Sequence, residues 1–310
     1  MESSPPVVPA PDMTLEPAGY TVDSDGDRIH FLDWGGPAPD AAGVVAIPGL
    51  GHTGWAWTPI ARRLGGSHGA MRFVALDLRG HGLSDAPTED GAYELDNFGG
   101  DIVAVAEGAS ILGGASDRVI LAGHGFGAIA AAYAAVGLGE RCAGLVLVDG
   151  GWEGLEESTR LDVDEFLRGL EEPPEVMASI SAFLRDRREF DRATWDADQE
   201  HAARATIVET HAGRVVPSAR PHATEATVRA MFAYDPLAVL PDVDAPIVAL
   251  IAMDDEERTR TRALAAVSAA REANGRPAIP AVVFGHDGHN LMRYRPDEVA
   301  AAILSVGEGG

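Results

Sequence analysis

The chain has no lysine. All 24 of its basic residues are arginine, they face 48 carboxylates, and the formal net charge is −24. Without a lysine amine there is no Schiff base, which excludes lysine-dependent aldolases and pyridoxal-phosphate enzymes. Positive charge is too scarce to bind nucleic acid or an anionic membrane through the bulk field. The acids are scattered and read as a solvated surface. Cysteine is nearly absent as well. Cys142 stands alone and cannot form an internal disulfide, which fits a cytoplasmic protein. No apolar run approaches the roughly 18 residues of a membrane span. The start, Met1-Glu2-Ser3-Ser4-Pro5-Pro6, lacks the basic and apolar regions of a secretory signal. His52, His81, His201, His211 and His222 have no metal-ligand spacing, so no metal is expected. Gly49-Leu50-Gly51 lacks the remainder of a dinucleotide loop, and no cofactor is expected either. Arginine-only basic residues with abundant Ala and Gly point to a GC-rich bacterial genome.

What is present is an α/β pattern. The 310 residues suffice for one large domain or two small ones, and 46% are apolar, enough for a sizeable core. Residues 1–15 are Pro/Ser-rich and are expected to be a disordered tail. Residues 18–35 alternate as two antiparallel strands around Asp25-Gly26-Asp27. Short apolar runs follow at Val44–Pro48, Phe73–Leu78, Val119–Gly123, Leu145–Asp149, Ile247–Met253 and Ala281–Phe284. Runs of this kind suit strands buried on both faces. Helix-like segments separate them at about 56–65, 96–112, 125–137, 257–273 and 296–305. That alternation predicts an eight-stranded, mostly parallel sheet flanked by helices. The stretch 152–240 breaks the pattern. It is helix-like throughout and predicts an inserted helical cap, leaving 16–151 and 241–310 as the core.

Residues 118–127 read Arg-Val-Ile-Leu-Ala-Gly-His-Gly-Phe-Gly, and an Ala-rich segment follows. That is strand, tight turn, helix. It resembles the G-x-S-x-G nucleophile elbow of the α/β-hydrolase superfamily, with Gly125 where the attacking Ser belongs. Other stretches match the same family in order. Ile47-Pro48-Gly49-Leu50-Gly51 resembles the turn after its third strand. Asp77-Leu78-Arg79-Gly80-His81-Gly82-Leu83-Ser84 resembles its D-x-R-G-x-G-x-S loop. Gly288-His289 sits where its histidine belongs. The flank His124-Gly125-Phe126 is similar to esterase-like members that read G-H-S-F-G.

The resemblance implies a site. His289 is the expected general base, able to take a proton near pH 7, with His286 as competitor. The acid that orients it is expected after the seventh strand. Spacing from Ala252 favours Asp255; Asp254 and Asp149 are the alternatives. The oxyanion hole is expected from the backbone amides of Phe126 and Leu50. Trp152 and His124 are candidates for the pocket wall. The implied function is a hydrolase scaffold for a small ester or lactone, inactivated by Ser→Gly at position 125. Two alternatives stay open: an enzyme without a covalent intermediate, using a His289-activated water or lyase chemistry, and a non-catalytic protein that binds a small ligand. The expected partner is a small molecule, not nucleic acid or membrane. The sequence does not give the oligomeric state.

Overall fold

The computed structural model describes residues 6–36, 43–114, 116–252, 258–285 and 287–307. Two antiparallel strands open the fold, β1 (Ala18–Ser24) and β2 (Asp27–Asp33), and Asp25 and Gly26 take positive φ between them. Then come β3 (Gly43–Ile47), α1 (Thr58–Leu64), β4 (Phe73–Leu76), α2 (Leu95–Gly108), β5 (Val119–His124), α3 (Phe126–Leu138) and β6 (Cys142–Val148). The strands stand in the order β1-β2-β4-β3-β5-β6. The sheet resumes after an insertion with β9 (Ile247–Ala252) and β10 (Ala281–Phe284), which add in parallel beyond β6. Helix α10 (Thr259–Ala273) joins these two strands; α11 (Leu291–Tyr294) and α12 (Pro296–Gly307) close the chain.

Eight strands, all parallel from β4 through β10, meet the expectation. The reason is visible in the burial. Every residue of β3, β5 and β6 is buried, as their unbroken apolar runs require when helices cover both faces. One face packs on α1 and α12 through Trp57, Ile60, Val299 and Ile303. The other packs on α2, α3 and α10 through Phe98, Ile102, Ala131 and Val267.

The insertion holds α4 (Leu155–Thr159), α5 (Val163–Gly169), α6 (Ile180–Phe190), α7 (Ala197–Ala205), α8 (Pro221–Ala233) and α9 (Pro236–Val239). Side chains of Asp162, Ser179 and Asp196 cap three of these helices, as the sequence chemistry favours. One expectation fails here: the insertion is not helical throughout. A hairpin of β7 (Ile207–Glu209) and β8 (Val215–Pro217) lies within it, turning at Gly213 with φ 73°. The strands are three residues each, too short for periodicity to announce them.

Arg62 on α1 ties three regions together. Its guanidinium donates to Asp198 of α7 at 2.9 and 3.0 Å, and to the carbonyls of Asp12 and Leu15 at 3.2 and 2.8 Å. Asp12 and Leu15, assigned to a disordered tail on composition, are therefore anchored. A single buried cation, 7% exposed, gathers these acceptors. No helix among the described residues is long and apolar enough to cross a membrane.

Candidate active site

The turn at the end of β5 has φ 53° and ψ −117° at Gly125. An L side chain there is strained by about 1–3 kcal/mol, and only a tight framework imposes such a geometry. Its neighbours make the turn possible. A Cβ on Gly123 would lie 2.3 Å from the Gly127 carbonyl, and one on Gly127 would lie 2.3 Å from the Ile47 carbonyl. Both must be glycine. Gly150 is equally confined, since its Cβ would stand 2.8 Å from the Gly125 Cα.

His289 stands over this turn. Its Nε2 lies 3.1 Å from where a Cβ on Gly125 would be. Its Nδ1 donates to Asp149 Oδ2 at 2.6 Å. That bond fixes the tautomer and leaves the Nε2 lone pair facing the elbow. The imidazole is half exposed, while the Asp149 side chain is only 1% exposed.

Asp149 follows β6 and takes φ 50°. Sequence reasoning preferred Asp255 and held Asp149 as an alternative. The described contact is to Asp149; Asp254, Asp255 and the competitor His286 lie outside the described residues. Nδ1–H is one donor, and Asp149 takes it. Its other oxygen, Oδ1, accepts from the Ala252 amide and from Arg260 Nη1, both at 2.8 Å. Burial pushes the Asp149 carboxyl up, but the bond from His289, the Arg260 charge and the Ala252 amide together hold it below the ordinary carboxylate value. Arg260 also grips Glu153 at 2.8 Å, and its guanidinium lies 5.0 Å from the Trp152 ring centroid. Sequence reasoning missed Arg260. Its carboxylate partners lie over a hundred residues away, and no local pattern marks it.

His124 is fully buried. Its Nε2 donates to the His289 carbonyl at 3.1 Å, and the two rings are 4.3 Å apart. Burial, and then the neighbouring His289 and His52, push its basicity well below the usual value. His124 therefore acts as a neutral brace for the His289 backbone and does not line a pocket wall. Trp152 is corrected too. It is fully buried in the main core, because Gly150-Gly151 press the chain against Gly125 and Ala128 and turn the indole inward.

Phe126 begins α3, so its amide is one of the helix's unshared donors, at the positive end of the dipole. Leu50 lies in the turn after β3, which is closed by the His52 amide donating to Gly49 O at 3.1 Å. Neither the Leu50 nor the Phe126 amide donates to a backbone carbonyl among the described residues. A half-exposed imidazole with a buried carboxylate behind it, set over a strained turn, can move a proton to or from a group at Gly125.

The sequence profile of the alpha/beta hydrolase family matches residues 44–302. The chain belongs to that family. A putative carbamate hydrolase, RutD, of Caulobacter sp. (strain K31) is 26% identical over 292 residues, 93% of this chain and 97% of that protein. Epoxide hydrolase 2 of Siraitia grosvenorii is 32% identical over 114 residues, 36% of this chain. That match spans only 32% of the epoxide hydrolase. Among solved structures, E-2-(acetamidomethylene)succinate hydrolase superposes with a TM-score of 0.74 at 20% identity, covering 94% of this chain and all of that one.

Proposed function

We propose that this is a hydrolytic site for a small ester or lactone, complete except for its nucleophile. One observation carries the reading: Gly125 keeps the strained geometry of a nucleophile turn although glycine needs no such strain, and His289 Nε2 still points at it. A serine Oγ at 125 would attack the carbonyl carbon while Nε2 takes its proton. The amides of Leu50 and Phe126 would receive the developing oxyanion. Nε2 would then return the proton to the leaving alcohol, and water would release the acyl group by the same path reversed. Asp149 would stabilise the imidazolium between these steps. As written, the chain lacks the atom that starts the sequence. It can bind and polarise a substrate but forms no acyl intermediate. The insertion over the β3 and α11 loops fits a cap that shapes the pocket.

The test is Gly125→Ser. Hydrolysis of p-nitrophenyl acetate is expected to rise by roughly 10⁴- to 10⁶-fold, the upper figure being the order of loss when a triad serine is removed. His289→Ala in that background is expected to remove the gain. A Cβ 3.1 Å from Nε2 is tight, so the half-exposed ring must yield by a few tenths of an ångström. A folded serine variant with no gain over a panel of esters and lactones overturns the reading. Turnover already present in the Gly125 protein and lost in His289→Ala would instead favour a His289-activated water.

A further inference from the structure

A cavity of about 120 Å³ lies between the insertion and the core, beside the elbow. His52, from the turn that carries the Leu50 amide, and Asn290, next to His289, form one side. Arg187, Trp195 and Gln199 of the insertion and Arg293 of α11 form much of the rest. Its charge is unlike that of the protein. The chain has twice as many carboxylates as arginines, yet two guanidinium groups line this cavity and no carboxylate does. The larger cavity at the 87–96 loop has the reverse balance, with Glu89, Asp90, Glu94 and Asp96 on its wall against one guanidinium, Arg229.

The two arginines are not equivalent. Arg187 pairs with Glu172 and lies 3.6 Å from Asp186. Arg293 makes no ion pair among the described residues. Its Nε donates to Thr194 Oγ1 at 2.6 Å and its Nη2 to the Asp191 carbonyl at 2.7 Å, which fixes the plane of the fork. Those bonds leave Nη1 without a protein acceptor among the described residues. The nearby Asp191 carboxylate is itself engaged by Thr194 Oγ1 and the Ala193 amide, both at 3.0 Å. The side-chain oxygen of Asn290 is buried with no hydrogen-bond partner. Burial, then the charges of His289, His81 and Arg187, push His52 down to about 4, so it is a neutral donor or acceptor at pH 7. Guanidinium groups with a neutral imidazole beside them are the donors a carboxylate needs, and the open Asn290 oxygen, an acceptor, suits a donor elsewhere on the same ligand.

We propose that this cavity takes a carboxylate on a short arm of the substrate, with Arg293 as the group that selects it. Resting on the hydrolase reading, this narrows the substrate to an anionic ester or lactone, such as a hemi-ester of a dicarboxylic acid. The arm would seat between the insertion and α11 while the ester carbonyl reaches the Leu50 and Phe126 amides.

The test has a binding arm and a turnover arm. In calorimetry on the unaltered chain, succinate and its monomethyl ester should bind and dimethyl succinate should bind at least tenfold more weakly. Arg293→Gln should weaken succinate at least tenfold, and Arg293→Lys, which keeps the charge but not the fork, should recover part of it. In the Gly125→Ser background, the kcat/KM ratio of p-nitrophenyl hemisuccinate to p-nitrophenyl acetate should exceed ten and fall at least tenfold in Arg293→Gln. Equal binding of succinate and its dimethyl ester, or succinate binding indifferent to Arg293, overturns the proposal. The two readings fail separately. A serine variant active on neutral esters with no preference for the hemi-ester sinks the carboxylate site and leaves the hydrolase. An inert serine variant whose succinate binding still depends on Arg293 sinks the hydrolase and leaves the site.

Discussion

Among the described residues, two histidines bond an aspartate that follows a sheet strand, and only one of the two pairs is open. In the first, His30 Nδ1 meets Asp77 Oδ2 at 2.9 Å, with side chains 9% and 4% exposed. In the second, His289 Nδ1 meets Asp149 Oδ2 at 2.6 Å, with the imidazole 55% exposed. Even the far nitrogens look alike. His30 Nε2 is 3.1 Å from where a Cβ on Gly19 would be, and His289 Nε2 has the same distance at Gly125. The difference is what surrounds them. Asp77 also accepts the amides of Gly54 at 2.8 Å and Leu83 at 3.0 Å, and Ser84 donates to its carbonyl at 2.7 Å. Its imidazole is sealed against a strand. The Asp149 pair is sealed only from behind, by Arg260 and the Ala252 amide. The same aspartate–histidine hydrogen bond thus fastens loops in one place and presents a nitrogen to a ligand in the other.

The sharpest way to break this comparison is to neutralise each acid in the Gly125→Ser protein. Asp149→Asn should lower kcat for p-nitrophenyl acetate by about 10⁴-fold, since the imidazole loses its tautomer and its counter-charge. Asp77→Asn should leave kcat per folded molecule within about a factor of two or three, because that pair touches no substrate. Equal losses in the two variants would mean that exposure of the far nitrogen is not what separates the pairs.

Stability should rank them the other way. Asp77→Ala strands the buried Gly54 amide, the part-buried Leu83 amide and a buried imidazole, and should cost about 3–5 kcal/mol in urea unfolding. Asp149→Ala should cost less, as Arg260 keeps Glu153 and His289 can turn to water.

The glycines give a smaller contrast. Gly82 has φ 50°, and a Cβ there would lie 2.2 Å from Asp77 Oδ2, a fixed acceptor. Gly125 has φ 53°, and its Cβ would meet an imidazole able to move aside. Both alanine variants carry the backbone strain of about 1–3 kcal/mol. Gly82→Ala should exceed Gly125→Ala by the cost of disturbing the Asp77 network, read as the difference in unfolding midpoints.

The last contrast is in pH dependence. His52 is held near 4 in the folded protein against an ordinary 6.5. Between those values the unfolded chain binds a proton that the native chain does not, so stability rises with pH across that window and levels off above it. His52→Gln should reduce the slope by up to about 1.36 kcal/mol per pH unit. The slope should not vanish, because burial also lowers His81 and His124. An unchanged slope would show that His52 is solvated in the native state.

The sequence by itself determined the sheet and the elbow. Apolar runs with the right length and order name their strands, because burial on both faces leaves no polar alternation. Gly123 and Gly127 announce the turn, since only glycine clears the backbone packed beside them, and Gly125 sits between them at φ 53°. The loop Asp77–Ser84 was legible through its own short-range bonds, from the Leu83 amide and the Ser84 hydroxyl to Asp77, although His30 and the Gly54 amide reach it from afar. What only the tertiary structure decided is which groups meet across the chain. Asp149 and His289 are 140 residues apart, and Arg260 lies 111 from Asp149. Spacing after a strand could narrow the acid to three aspartates but could not aim any of them. Aim depends on a positive φ at Asp149, an amide from β9 and a guanidinium from α10, and none of these leaves a local trace in the sequence. Arg293 is the same case. Its bonds to Thr194 and to the Asp191 carbonyl exist only once the insertion has folded onto the core, so its part in the cavity is a property of packing and not of pattern.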